Sequence, residues 1–511
     1  MSANVGSQAS LSLGRKIFYM LLPLALLCVV AEVSVRLLLP MSAADGLHSS
    51  RGFDPSARYL TPDPEHPGGW VTRIYGDSAQ ETTIAPRSDR RRVLLFGGSN
   101  TRGFPQVNLE KTLNQATQEE GTAWEVVNLG REGYGSRRAL YLFEQAMVLQ
   151  PDLVVIYSGH NEFVELGFEL ELQNDGASEV QDRFTDALSG LQFFQLMCFT
   201  LEEEPAPMPA TNLDRADPSQ RRLPWDQTLA VYDGYRKNLG LMCDIAAENG
   251  VPVVMSTVIS NLFWLPRVWT PIDPLPERER QLHESRSITA AHLIPERFRH
   301  GFAPPIRLRG SAWQSGGSER DAESIPRLRR LSGGLSRDPR SKPGAEQTSG
   351  ANTLWTDPEL WGPDVPEVLD WFAEVMFADP TSAELEELSG AAAALKKEDE
   401  TVPGDPRVIF MVGLVDWLQG NSEGAVARWR EAAMLDRSPN TANDRTNGVV
   451  RDIAGSRPGV TLLDADQLFR SRCPDGLVSY EVMLDGCHMH LGARLVLMAD
   501  MKDLIVDLEL N

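Results

Sequence analysis

Short apolar runs that end in glycine or a polar turn recur along this chain, with helical spacing between them. "RVLLFGG" (92–98), "WEVVNLG" (124–130), "PDLVVIYSG" (151–159), "VPVVMSTVIS" (251–260) and "GVTLLDA" (459–465) each read as a buried strand. "LEKTLNQATQEE" (109–120), "SRRALYLFEQAMVLQ" (136–150) and "TLAVYDGYRKNLGLMCDIAAENG" (228–250) read as helices, the last closed by Gly250. A further helix precedes the fifth strand. Strands that alternate with helices predict an α/β fold whose parallel sheet is covered on both faces.

A different pattern opens the chain. Residues 17–30 are apolar without a break, and the run continues to Leu39, interrupted by Glu32 and Arg36. A membrane span needs roughly 20 mostly apolar residues. Arg15 and Lys16 precede the run and no small-x-small cleavage site follows it, so 17–40 is expected to be an uncleaved signal anchor. The basic flank puts the tail, 1–16, in the cytoplasm and the rest outside it. A buried helix of a soluble domain is the alternative.

The rhythm breaks in three places. Residues 41–90, rich in Pro, Gly and charge, read as a tether. Residues 271–360 hold too few apolar side chains to offset the entropy of ordering and read as a mobile insertion. Residues 361–440 turn helical, and "DPRVIFMVGLVDWLQGNSEGAVARWREAAMLDRSP" predicts two amphipathic helices joined at "QGNS". There Gly413, Gly420, Ala425 and Ala432, with Trp429, fall where a tetratricopeptide-like hairpin places small residues; a plain helical cap is equally compatible. The α/β domain then comprises 91–270 and 441–511.

Charge narrows the partners. A net charge of −22 argues against nucleic acid and against polybasic attachment to an anionic membrane. Five cysteines, with no C-x-x-C, leave disulfide pairing undetermined.

In open parallel sheets the site lies beyond the C-terminal strand ends. After the first strand come Gly97 and Gly98, room for a tight turn, and then Ser99 where a helix starts. After the second comes "NLGREGYGS", and after the third "SGHNE" with Asn161. Near the C-terminus, "LDGCHMHLG" puts Asp485 and His488 three residues apart. These are the parts of acyl transfer: a serine, a histidine to take its proton, a carboxylate to orient the histidine, and an amide with glycine N–H groups for an oxyanion.

The four blocks resemble those of the SGNH (GDSL-type) hydrolase family, in the order that family uses. "GGSNT" is similar to its first block, "NLGREG" to its second, "GHNE" to its third and "DGCH" to its last. The resemblance covers about 91–164, 226–262 and 446–511. It implies a flavodoxin-like three-layer α/β/α sandwich with a five-stranded parallel sheet. It also implies a triad of Ser99, Asp485 and His488, an oxyanion hole of Ser99, Gly133 and Asn161, and ester hydrolysis without metal or other cofactor. One departure stands out: the family usually carries Asp before the serine, and this chain has Gly98.

Simpler readings of the same residues stay open. Ser99 could be a helix N-cap and Asn161 a turn cap. His490, two residues past His488, could be the base instead. His160 should point away from the site because its neighbour Asn161 points in. Cys487, His488 and His490 are too tightly spaced for common zinc patterns. No dinucleotide or phosphate-loop motif is present, and "GGSNT" is not the G-x-S-x-G elbow. The expected function is an extracytoplasmic serine esterase acting on an acyl ester. The rivals are an O-acyltransferase modifying a cell-surface glycan and a non-catalytic scaffold that binds a partner protein through the helical insertion.

Overall fold

A computed structural model describes residues 13–38, 53, 58–72, 82–167, 193, 223–264, 282, 286–287, 290, 293–294, 380–439, 441–480 and 482–510. The tail 1–12, most of the insertion expected at 271–360, and 361–379 lie outside the described residues. The chain divides into two units, 1–86 with 169–210 and 87–168 with 211–511.

The first unit holds helix α1 (Leu13–Leu38) and a small antiparallel meander. Residues 19–37 of α1 are long and apolar enough to cross a membrane. The two charges that interrupt the apolar run pair with each other: Arg36 Nε donates to Glu32 Oε1 at 2.6 Å, one turn away. Pairing of this kind lowers the cost of placing either charge in apolar surroundings. Within the stretch read as a tether, β1 (Leu60–Pro62), β2 (Trp70–Thr72) and β3 (Thr82–Ile84) pair in that order. They bury Tyr59, Leu60, Val71 and Ile84.

The second unit contains the expected parallel sheet. Its strands are β4 (Arg91–Gly97), β5 (Trp124–Asn128), β6 (Leu153–Tyr157), β7 (Val253–Ser256) and β8 (Val460–Leu463). They lie in the order β5-β4-β6-β7-β8, with every neighbouring pair parallel. This is the flavodoxin-like order, whose connections reverse direction between the first and third strands of the sheet, here β4 and β6. That crevice is where a ligand is expected.

Alternation along β4 and β6 sends side chains to two cores. Val93, Leu95 and Val155 face one, with Leu109 and Leu113 of α3 (Gln106–Ala116) and Leu497 and Met501 of α11 (Leu491–Leu510). On the other side Phe96 meets Phe143 of α4 (Ser136–Ala146), with ring centroids 4.7 Å apart. Helices α5 (Trp225–Glu248) and α9 (Asp444–Ser456) complete that layer. The runs therefore read as unbroken apolar strands because both faces are buried.

The helical segment differs from its reading in one respect. Helices α6 (Ser382–Thr401), α7 (Pro406–Leu418) and α8 (Ser422–Leu435) pack together, and α7 and α8 form a hairpin turning at Gly420. A Cβ on Gly413 would lie 2.8 Å from Trp429 Nε1, so glycine lets the two helices close up. But α7 is not amphipathic: every residue from Val408 to Leu418 is buried. It has packing partners all round: α6 and α8 flank it, and Phe263 reaches it from the α/β part of the unit with Tyr480 packed behind. Phe263 packs against Phe410 and Trp429, with centroids 5.8 and 5.3 Å away.

Candidate active site

The first strand delivers its serine through two glycines. At Gly97 a side chain would run into the Tyr157 carbonyl on β6 and into Thr101 Oγ1, so only glycine lets the chain pass. Gly98 is then the N-cap of the one-turn helix α2 (Ser99–Arg102), and Ser99 is its first residue. The capping position is thus filled by a residue without a side chain, and the Ser99 hydroxyl is not used there. Instead Ser99 Oγ–H donates to His488 Nε2 at 2.7 Å.

His488 sits in a turn organised by Asp485. Asp485 Oδ1 accepts from the backbone N–H groups of Cys487 at 2.8 Å and His488 at 2.7 Å. Oδ2 accepts from His488 Nδ1–H at 2.7 Å. The carbonyl of His488 accepts from Leu484 N–H at 2.7 Å, closing the turn. This pairing assigns the ring proton to Nδ1 and leaves Nε2 as the acceptor from Ser99.

Charge reinforces the arrangement. Burial disfavours the ionised Asp485, but the charge of His488 and the donors from His488 and Cys487 outweigh it and hold the carboxyl below its usual range. Burial likewise disfavours a charged His488, and the Asp485 carboxylate with its hydrogen bond more than offsets that, raising its pKa well above the ordinary value.

The competing histidines are engaged elsewhere. His160 is buried and donates from Nε2 to the Ile259 carbonyl at 2.8 Å; burial pushes its pKa down to about 4. His490 caps the last helix, its Nδ1 accepting from Ala493 N–H at 3.2 Å. It therefore does not join Cys487 and His488 in a ligand set. Asp485, Cys487 and His488 do place one ligand atom each within 4.8 Å. Two of those atoms are already spent in the Asp485–His488 hydrogen bond, and burial keeps Cys487 a thiol.

Asn161 follows β6 and brings its amide against Gly98, the residue before the serine. Its Nδ2 donates to the Tyr134 carbonyl at 3.0 Å and lies where a side chain on Gly98 would go. Gly133 comes to the site through its neighbour Tyr134. It has a left-handed φ of 67°, which glycine adopts without strain. The carbonyl of Gly133 accepts from Arg138 Nη2. Arg138 is buried and paired with Glu165 at 2.8 Å. Glu165 also accepts from the N–H groups of Gly135, Arg137 and Arg138, so the Gly133 loop is held from beneath.

Comparison with known proteins adds little to this geometry. No protein-family model matches the chain, and no curated protein matches it. Parts of it resemble solved structures. A Bacteroides fragilis protein assigned as an acylhydrolase is 19% identical, over 40% of this chain and 66% of that one, with a TM-score of 0.18. A GDSL-like lipase of Bacteroides thetaiotaomicron is 17% identical, over 35% and 53%, with a TM-score of 0.17. The SGNH-hydrolase family esterase AlinE4 is 12% identical, over 49% and 96%, with a TM-score of 0.18. The chain spans less than two thirds of the first two. Likeness this slight carries no functional weight, and the site itself must.

Several residues beside the triad and the expected oxyanion set also hold the site. Asn128 Nδ2 donates to the Thr101 carbonyl at 2.6 Å, fixing the end of α2 to the second-strand loop. Asn261 Nδ2 donates to the Asp485 carbonyl at 3.2 Å. A Cβ on Gly486 would lie 2.9 Å from Trp264 Nε1, so the aromatic loop after β7 lies directly against the Asp485 turn. Asn100, beside the serine, contacts the main chain flanking His488. Its partners lie nearly 400 residues away, a distance at which spacing says nothing.

Proposed function

We propose that this protein is a serine esterase of the SGNH type, acting on acyl esters outside the cytoplasm. The observation that carries the reading is the unbroken chain of 2.7 Å hydrogen bonds from Ser99 through His488 to Asp485. A serine hydroxyl becomes nucleophilic when a neutral imidazole accepts its proton, and a carboxylate on the far nitrogen stabilises the imidazolium that results.

In this mechanism Ser99 Oγ attacks the ester carbonyl carbon as its proton passes to His488 Nε2. The N–H groups of Ser99 and Gly133 and the amide of Asn161 hold the oxyanion. The tetrahedral adduct collapses, the C–O bond to the alcohol breaks, and His488 returns the proton to the leaving oxygen. Water, deprotonated by His488, then attacks the acyl-Ser99 carbonyl. Collapse releases the carboxylic acid and restores the serine. Helix α1 anchors the chain as a single membrane pass, and the basic pair Arg15 and Lys16 argues for a catalytic unit on the far side from the cytoplasm. Helices α6–α8 are a tetratricopeptide-like insertion with a face for a partner protein.

A fluorophosphonate probe tests this reading, because it reacts with activated serines only. Peptide mapping of the labelled full-length protein should find the probe on Ser99. Labelling elsewhere, or none, would refute the assignment.

A further inference from the structure

We propose that Asn100 is a positioning residue that locks the base to the nucleophile by gripping the main chain on both sides of His488. The proposal rests on the esterase reading above. Asn100 follows Ser99 in α2 and is 3% exposed. Its Nδ2 donates to the Cys487 carbonyl at 2.6 Å, and its Oδ1 accepts from the Met489 N–H at 3.1 Å. Residue 488 lies between those two contacts.

The chemistry calls for a primary amide. One planar group must donate and accept at once, which a carboxylate or an aliphatic side chain cannot do. Each bond alone is ordinary, worth about 1 kcal/mol net. Their value lies in where they attach. Ser99 and Asn100 are consecutive, so the clamp sets the Oγ–Nε2 separation directly, without passing through the sheet. The rest of the turn is secured otherwise: Asp485 bonds it internally, and Asn261 N–H donates to the Gly486 carbonyl at 3.0 Å. Loss of Asn100 would therefore leave the His488–Asp485 pair intact and loosen its position relative to Ser99. A misplacement of roughly 1 Å at a reacting pair costs on the order of a hundredfold in rate.

The test compares full-length wild type, Asn100→Leu, Asn100→Asp and Ser99→Ala. The nitrogen NMR shift of His488 Nε2 reports the hydrogen bond from Ser99 without any substrate. In both Asn100 variants that resonance should move to its position in Ser99→Ala. Ester turnover should fall about 10- to 100-fold in kcat with KM changed less than about threefold. Asn100→Asp keeps the shape of the native side chain and decides the matter if Asn100→Leu does not fold. A wild-type Nε2 resonance in Asn100→Asp overturns the proposal, whatever kcat does. Absence of turnover by the wild type would count against the esterase reading alone, since the resonance still reports the clamp.

Discussion

Ser99 Oγ and His488 Nε2 stand 2.7 Å apart although 389 residues of chain separate them. Neither side chain caps the helix beside it. The cap of α2 is Gly98, and the cap of the last helix is His490. The fold assigns its structural duties to neighbours and leaves this pair facing each other.

The raised pKa of His488 sets the pH dependence. A base must be neutral to accept the serine proton, so kcat/KM should fall about tenfold per pH unit below the His488 pKa. The Asp485 carboxylate raises that value, so the acid limb should lie above pH 6.5, the unperturbed value for histidine. A pH profile of kcat/KM for a p-nitrophenyl ester measures it. An acid limb at or below 6.5 would mean that Asp485 does not stabilise the imidazolium as described.

Gly98 marks the departure from the resembled family, and the structure supplies a reason for a small residue. A Cβ at this position would run into Asn161 Nδ2. Gly98→Ala should therefore push the amide from its place and lower kcat/KM about 10- to 100-fold, the scale of a lost oxyanion donor. The melting temperature should change little, since the fold's cores lie elsewhere. Equal kcat/KM in wild type and variant would show that Asn161 has no fixed role there.

Much of this was legible in the sequence, for physical reasons. The five strands are recognisable because both faces of a parallel sheet demand apolar residues, as in "RVLLFGG" and "PDLVVIYSG". Ser99 and Asn161 could be picked out because chemistry collects at the strand ends, and Asp485 and His488 because they stand three residues apart just before a helical run. The rest depends on long-range packing. Helix α7 is buried on every side by α6, α8 and Phe263, which no local periodicity reveals. Asn100 lies inside "GGSNT" and Asn261 in a plain loop, but spacing does not show that both hold the turn of Asp485 and His488.

The helical insertion should also be indispensable to the fold. Trp429 is 1% exposed, donates to the Phe410 carbonyl at 3.1 Å and packs edge-on to Phe263. Trp429→Ala should cost about 3–5 kcal/mol, the usual loss for a buried tryptophan. Denaturant unfolding of the full-length protein measures this. A loss below about 1 kcal/mol would mean that α6–α8 pack loosely against the loop that holds Asp485.

The nucleophile offers the most direct measurement. Full-length wild type and Ser99→Ala are compared for p-nitrophenyl acetate hydrolysis, with circular dichroism as the check on folding. The wild type should release p-nitrophenol, and Ser99→Ala should fall to the level of buffer while keeping its fold. Turnover by a folded Ser99→Ala equal to that of the wild type would contradict the assignment of Ser99 as the nucleophile.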